Sequence, residues 1–276
     1  YKGEETNNND FSEDLTLGID YFVNDAFSCS HRRHSSTVGV TNFLPSFMGT
    51  HLEKEIKALE GVLNNPNKPV AAIIGGSKVS TKIDVINFLL KKMDIIIIGG
   101  AMANTFVAAK GLVVGKSLFE KECIDLAKEL IEKSQNNNCN IILPTDFIVS
   151  KNLKKNAEYT TANFDSLPHN MMALDIGPKS IELINKNINN CKTILWNGPL
   201  GAFETYPFDK GTNKVASHVS SLTKQKKILS VAGGGDTVSA LNNAKVLNDF
   251  SYVSTAGGAF LEWLEGKVLP GIEPIS

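Results

Sequence analysis

Two lysines four residues apart, Lys78 and Lys82 in "GGSKVSTK", follow directly on a pair of glycines. On a helix starting near Ser77 both would project from one face, where like charges repel. Both would also sit in the first turns, where cations oppose the helix dipole. Two unfavourable placements together point away from an ordinary solvated face and toward a bound polyanion. Further along, Gly233-Gly234-Gly235 runs straight into Asp236 and Thr237. Consecutive glycines carry a large backbone entropy cost, so something must come close to that backbone. An aspartate among glycines that suit phosphate implies a bridging Mg²⁺, which takes one or two carboxylates and keeps several waters. The plainer reading of Asp236 is a helix N-cap.

These residues need a scaffold, and the hydrophobic pattern supplies one. From Val70 onward, short β-rich runs alternate with helical segments. The runs are "VAAII" (70–74), "IIIIG" (95–99), "NIIL" (140–143), "TILW" (193–196), "KILSVA" (227–232) and "YVST" (252–255). Segments such as "KECIDLAKELIEKSQ" between them repeat apolar residues at helical spacing. Near-continuous Ile/Val/Leu strands alternating with helices predict an α/β fold, a doubly wound parallel sheet covered on both faces. Ligands of such sheets bind beyond the carboxyl ends of the strands. Glycines collect there: Gly75-Gly76, Gly99-Gly100, Gly198 and Gly201 around Pro199, Gly233 to Gly235, and Gly257-Gly258. One glycine at a strand–helix turn is plain turn chemistry. Five such loops on one edge, each placed before a helix N-terminus, predict a phosphorylated ligand touched by the backbone itself.

Residues 1–64 read differently. An acidic, Asn-rich start leads to "IDYFVNDAF", read as one strand, then the basic turn "HRRHSS" and an amphipathic helix over 49–65. One strand and one helix cannot enclose a core of ordinary density. This segment therefore either packs on the α/β domain or is the remnant of a second α/β lobe.

Composition bounds the function. In 276 residues, 42% hydrophobic and 21% charged, the net charge is −1, which gives no reason to expect nucleic acid or an acidic membrane surface. The apolar run from Ile95 to Ala103 is far short of the ~20 residues a membrane span needs. Cys29, Cys123, Cys139 and Cys191 are scattered without a CxxC pair, which fits a reducing cytoplasm. "GLVVGKS" (111–117) imitates a phosphate loop but has three residues between its glycines and follows a helix-like segment, so it reads as a turn. No GxGxxG occurs, and the second strand ends in glycine rather than the acid that would hold a ribose, which disfavours a dinucleotide dehydrogenase.

With "VNDAFSCSHRRHSS", "GGSKVSTK", "IIGGAM", "WNGPLGAFE", "GGGDT" and "STAGGAFLEWLEGKVLPG" in this order, the chain resembles phosphoglycerate kinase over essentially its whole length. The resemblance implies a two-lobed, monomeric, Mg²⁺-dependent enzyme of glycolysis. It transfers a phosphoryl group reversibly between 1,3-bisphosphoglycerate and ADP, giving 3-phosphoglycerate and ATP. Residue by residue, it implies Lys78 on the transferring phosphoryl group and Lys82 on the nucleotide phosphates. It implies Gly75 and Gly76 in the nucleotide site, Gly99 and Gly100 flanking adenine, and Asn197, Pro199 and Gly201 lining the nucleotide. Glu204 would meet the ribose, Asp236 the metal and Thr237 a phosphate, with Gly233, Gly234 and Gly235 around them. Gly257 and Gly258 would surround the moving phosphoryl, and Arg32 and His34 would meet phosphoglycerate. Such chemistry needs positioning and positive charge more than a nucleophile.

Three departures stand out. Ala256 replaces a glycine of the family's "STGGGAS", where a left-handed conformation would be strained. Phe260 closes that motif, and Arg33 stands where the family has alanine. The family's further phosphoglycerate contacts lie upstream of Tyr1, so the expectation is a fragment with little activity alone. It would comprise the end of the phosphoglycerate-binding lobe plus the interdomain helix (1–64), the nucleotide-binding lobe (65–264) and a tail returning to the first lobe (265–276). A nucleotide-binding module without catalysis is the alternative.

Overall fold

A computed structural model describes residues 1–275; the expected tail, 265–276, ends on a residue outside the described residues. The polar start folds into a short helix, α1 (Asn9–Leu15), whose first turn is closed by Asn8, its side chain accepting the Phe11 N–H. The single strand expected next is cut to three residues, β1 (Phe22–Asn24), and gains a parallel partner, β2 (Ser46–Met48). Val23 lies opposite Phe47, and both remain exposed. The amphipathic helix forms as α2 (Thr50–Leu63). Its N-terminus is capped from a distance: Asp25 accepts the N–H groups of His51 and Leu52 at 2.6 and 3.0 Å.

From β3 (Val70–Ile74) the alternation holds. It continues as α3 (Ile83–Leu89), β4 (Ile95–Ile98), α4 (Met102–Ala109), α5 (Ile124–Asn136) and β5 (Asn140–Ile142). An antiparallel excursion that the apolar runs did not announce follows: β6 (Asp146–Ser150), β7 (Thr160–Asn163) and β8 (Met172–Ile176), ordered β7-β6-β8. The chain then returns through α6 (Pro178–Asn189), β9 (Thr193–Asn197), α7 (Lys210–Lys224), β10 (Leu229–Gly233), α8 (Gly235–Asn243), β11 (Tyr252–Ser254) and α9 (Gly258–Leu264).

The main sheet is parallel throughout, in the order β11-β10-β9-β3-β4-β5. Strand alternation divides its side chains between two cores. Val70, Ala72, Ile74, Ile96 and Ile98 pack with α2, α3, α4, α5 and α9, whereas Ala71, Ile73, Ile97, Ile194 and Trp196 pack with α6, α7 and α8. The sheet is therefore doubly wound, and its strands read as continuous apolar runs because both faces are covered. Leu52, Ile56 and Leu59 place the apolar stripe of α2 in the first of these cores, so this part of the opening segment packs on the α/β domain. After β5 the chain crosses over to β9 on the far side of β3. The switch in winding direction thus falls between β3 and β9, where an open α/β sheet offers a crevice.

Candidate nucleotide and phosphoryl-transfer site

Register brings Ile74, Ile98, Asn197, Gly233 and Ser254 to one edge, so the five glycine loops do leave the sheet together. Three of them open directly into helices α4, α8 and α9. The other two do not, and that corrects the expectation of a helix N-terminus behind every loop. Residues 77–82 form irregular turns before α3, and a long connection separates Gly201 from α7.

Much of the glycine requirement comes from the chain itself. A Cβ on Gly75 would lie 2.0 Å from the Pro199 carbonyl oxygen, and one on Gly198 would lie 2.2 Å from that of Gly75. One on Gly99 would meet the Leu200 side chain at 2.2 Å, and one on Gly100 the Gly76 carbonyl oxygen at 2.5 Å. The switch-point loops interlock backbone to backbone, tied by Gly75 N–H to the Asn197 carbonyl and Gly100 N–H to that of Leu200, both 2.9 Å. Gly233 faces the fully buried ring of Phe260, with 2.7 Å left for a Cβ, and Gly234 faces the Asn197 amide at 2.6 Å. Gly76 and Gly257, at φ +130° and +55°, have open space but adopt backbone conformations that suit glycine. Ala256 is not among the residues of positive φ, so the strain expected there is absent; the left-handed position is Gly257. Gly235 alone among the triple glycine has neither a close neighbour nor a positive φ.

In front of the interlock lies a cleft of about 360 Å³, in the range of small-molecule sites. Gly76, Gly100, Pro199, Gly201, Glu204 and Asp236, expected from the sequence, line it. Leu118, Phe147, Leu153 and Leu174 line it as well; they come from the loop after α4 and from the antiparallel sheet, and the sequence reading missed them. Their signal was weak, because single apolar residues in polar, loop-like stretches carry no phosphate chemistry. The cleft combines an apolar wall with a rim of glycine backbone and the carboxylates of Glu204 and Asp236, which suits a nucleoside with a metal-bound, charged tail.

Asn197 and Thr237 lie behind this wall, 2% and 1% exposed. The Asn197 amide donates to the Gly233 carbonyl at 2.8 Å while its oxygen accepts from Lys82 Nζ. Thr237 Oγ1 accepts the Gly198 N–H at 2.6 Å. These side chains brace the loops to one another.

The lysine pair departs from expectation. Lys78 and Lys82 do not share a helix face: Lys82 is the residue preceding α3, and its N–H donates to the Val79 carbonyl at 2.8 Å. Buried Val79 anchors the turn, Lys78 is exposed and Lys82 is half-buried. Burial pulls the Lys82 pKa below its ordinary value, an effect that the charges of Asp236 and Glu265 oppose. Lys82 thus sits in a desolvated position that a polyanion would complete. Asp236 is not the N-cap of α8. That position is Gly234, which makes no side-chain cap bond, and Asp236 stands exposed in the first turn at the cleft.

The basic turn 31–34 packs toward the loop after β11: a Cβ on Gly258 would lie 2.9 Å from His31 Nε2. Arg32 and Arg33 are exposed beside it. His34 faces Glu4 at 3.8 Å, and Glu4 is held in turn by the N–H and hydroxyl of Ser36. His31, which the sequence reading passed over, is therefore the residue of this turn that lies against Gly258. The segment after α9 returns to this region: Gly271 N–H donates to the Ser30 carbonyl at 2.8 Å, and Asn24 donates to the Gly271 carbonyl at 2.8 Å. "GLVVGKS" is a pair of turns, as its spacing predicts.

Comparison with known proteins gives a consistent answer. A family model described as phosphoglycerate kinase matches residues 1–267. A phosphoglycerate kinase of Rhizobium meliloti (strain 1021) is 51% identical over 273 residues, covering 99% of this chain and 68% of that protein. One of Brucella melitensis biotype 1 is 52% identical over 273 residues, covering 99% and 69%. Among solved structures, phosphoglycerate kinase from Coxiella burnetii superimposes with a TM-score of 0.94 at 43% identity, over 99% of this chain and 69% of that one. That from Pyrococcus horikoshii OT3 does so with 0.80 at 28%, over 95% and 65%.

Proposed function

This chain belongs to the phosphoglycerate kinase family, and we propose that its phosphoryl transfer runs through Lys78, Lys82 and the loop at Gly257-Gly258. The enzyme is a glycolytic phosphotransferase with a carboxyl group as acceptor, and ADP/ATP and phosphoglycerate are its substrates. The observation that carries the residue assignment is the convergence of an apolar cleft, a desolvated Lys82 and exposed Asp236 at the switch point.

The adenosine enters the cleft between Leu118, Phe147 and the loop 199–204, with Glu204 at the rim beside the ribose. The phosphates then run along the edge formed by Gly76, Gly235 and Gly257. Lys82, half-buried and held by Asn197, has less hydration to surrender when a phosphate arrives than an exposed lysine, so its charge acts at a lower local dielectric. Lys78, exposed on the same turn, reaches the group in flight. Arg32 and His34 hold the phosphoglycerate across the loop at Gly258. No nucleophile is required of the protein, because a loose phosphoryl transition state responds to alignment and to charge on its equatorial oxygens.

Asp236 fits a Mg²⁺ site of the phosphate-borne kind. It offers one exposed carboxylate at the cleft, and no group of three or more potential ligands occurs among the described residues. Asp236 would hold such an ion, which would supply charge neutralisation to the nucleotide phosphates. We further place phosphoglycerate binding on residues 1–64 and nucleotide binding on 65–264, in a monomer that works in the cytoplasm, where the four free thiols stay reduced.

Calorimetry tests the assignment. Mg-ADP binds the wild type and binds Asp236→Ala at least roughly tenfold more weakly, the loss of one metal-held contact. Equal affinity in EDTA, or an unaltered Asp236→Ala, contradicts the reading. Displacement of ADP by NADH at comparable concentration contradicts the nucleotide site itself.

A further inference from the structure

Between β3 and α3 the two lysines ride on a turn that has little secondary structure of its own. Val79 is buried beneath it, and two local bonds shape it: Thr81 Oγ1 to the Lys78 carbonyl at 3.1 Å and Lys82 N–H to the Val79 carbonyl at 2.8 Å. Ser80 is exposed yet doubly tied. Its N–H donates to Glu120 Oε2 at 3.0 Å, and its hydroxyl donates to Glu120 Oε1. One carboxylate forty positions away in the chain thus accepts both donors of a single serine, a fork that fixes backbone and side chain together.

Glu120 is itself held by the nucleoside cleft. Its N–H donates to Thr105 Oγ1 on α4 at 3.0 Å, and Asn104, also on α4, donates to the Leu118 carbonyl at 3.0 Å. Leu118 and Asn104 line the cleft, while α4 follows the loop of Gly100, one of the interlocked glycines. A continuous set of contacts therefore runs from the nucleoside wall through the strap 117–120 to the lysine turn. We propose that Glu120 is a positioning residue for phosphoryl transfer: it clamps the turn that carries Lys78 and Lys82 and ties that turn to the wall of the nucleoside cleft.

The electrostatics agree with this role. Burial would raise the Glu120 pKa, but the bonds from Ser80 and the charge of Lys78 outweigh it and hold the carboxyl below its ordinary value. Glu120 is thus ionised through the physiological range, a counter-charge to Lys78. A lysine on an unclamped turn would find a phosphate as a flexible cation does, binding it without alignment. Clamping matters most to the transition state, where small misplacements carry large penalties.

The inference rests on the assignment of Lys78 to the phosphoryl group, and the test separates the two. Steady-state kinetics are measured for Lys78→Ala, Glu120→Ala, Glu120→Gln, Ser80→Ala and the Ser80→Ala/Glu120→Ala double variant. Glu120→Ala lowers kcat by roughly tenfold or more while KM for the nucleotide moves less than about threefold. Glu120→Gln, which keeps one accepting oxygen, recovers part of that loss. The double variant is no worse than Glu120→Ala, because the hydroxyl bond that Ser80→Ala removes is already lost with the Glu120 carboxylate. Ser80→Ala, an exposed substitution, leaves the melting temperature within about 3 °C of wild type and still lowers kcat. If Lys78→Ala abolishes turnover but Glu120→Ala and Ser80→Ala are both normal, the positioning role is wrong and the lysine assignment stands. If kcat and melting temperature fall together in Glu120→Ala while Ser80→Ala is normal, Glu120 is merely structural and the role is also wrong. A near-normal Lys78→Ala overturns both.

Discussion

Gly235 tests whether a phosphate approaches the backbone of the triple glycine. The protein explains Gly233 by the Phe260 ring and Gly234 by Asn197, but a Cβ on Gly235 would have no heavy atom within 4 Å. Its φ is ordinary and it is the first residue of α8, so alanine is compatible with the conformation. Folding alone would therefore favour alanine. By restricting the unfolded chain, Gly235→Ala should stabilise the protein by about 0.4–1 kcal/mol. In a chain of this size that raises the melting temperature by about 1–3 °C.

Binding moves in the opposite direction. If the Gly235 N–H and Cα face a phosphate, a methyl group there pushes it away and weakens a charge-assisted hydrogen bond. Such bonds contribute roughly 1.5–3 kcal/mol, so Mg-ADP should bind about 10- to 150-fold more weakly. Gly61→Ala is the matched control: it lies in α2, where the Cβ would make only an ordinary contact with Leu229 at 3.9 Å. It should stabilise the fold comparably and leave nucleotide affinity unchanged. Scanning calorimetry and isothermal titration of the three proteins provide both readings. A Gly235→Ala protein that is stabilised and binds Mg-ADP as well as wild type refutes the close approach. The triple glycine would then owe itself to Phe260 and Asn197 alone.

Two further outcomes concern protons. Burial lowers the Lys82 pKa below 10.5, and bound phosphates should raise it again, so nucleotide binding takes up a proton at alkaline pH. Mg-ADP affinity should be highest below the free-protein pKa of Lys82 and fall as pH rises through it, a decline absent from Lys82→Met; a pH-independent wild type counts against the assignment. Asp175, buried behind the cleft with Gly211 N–H on Oδ2 at 2.6 Å and Ile176 N–H on Oδ1 at 2.9 Å, has its pKa pushed up from 3.8 to about 8, chiefly by burial. Its neutral form is the one the fold favours, so its contribution is complete below 3.8 and lost as pH rises through about 8. In urea titrations the wild type should therefore lose stability relative to Asp175→Asn between those limits, by at most about 1.4 kcal/mol per pH unit. A gap constant with pH contradicts this.

What the sequence made legible follows from where side chains report their surroundings. Parallel strands buried on both faces must be apolar along their whole length, so the six main-sheet strands appear as uninterrupted runs. β7, whose Thr160–Asn163 side chains are mostly exposed, and the three-residue β2 give no comparable pattern, and both were missed. The lysine turn was read as a helix because Ile83–Leu89 follows at helical spacing, yet the tie from Glu120 to Ser80 is a tertiary contact that no local pattern announces. The glycines were legible as glycines but not in their reason. Asn197 was expected to line the nucleotide, whereas its place is behind the cleft, bonded to the Gly233 carbonyl and Lys82.

That difference in reason bears on how the site works. Were all the glycines kept open for a ligand, their loops would lie loose until it arrived, and binding would carry the entropy of ordering them. Instead Gly75, Gly99, Gly100 and Gly198 let loops from neighbouring strands close on one another, and Asn197 and Thr237 bolt the result from behind. The edge is ordered before any phosphate arrives. A reaction that depends on alignment and charge gains most from such preorganisation; under the proposed assignment the loop dipoles and Lys82 need not reorient when charge moves between donor and acceptor. The backbone interlock at the switch point thus turns glycine, the most permissive residue, into a tied edge, the one on which the proposed assignment places the phosphates.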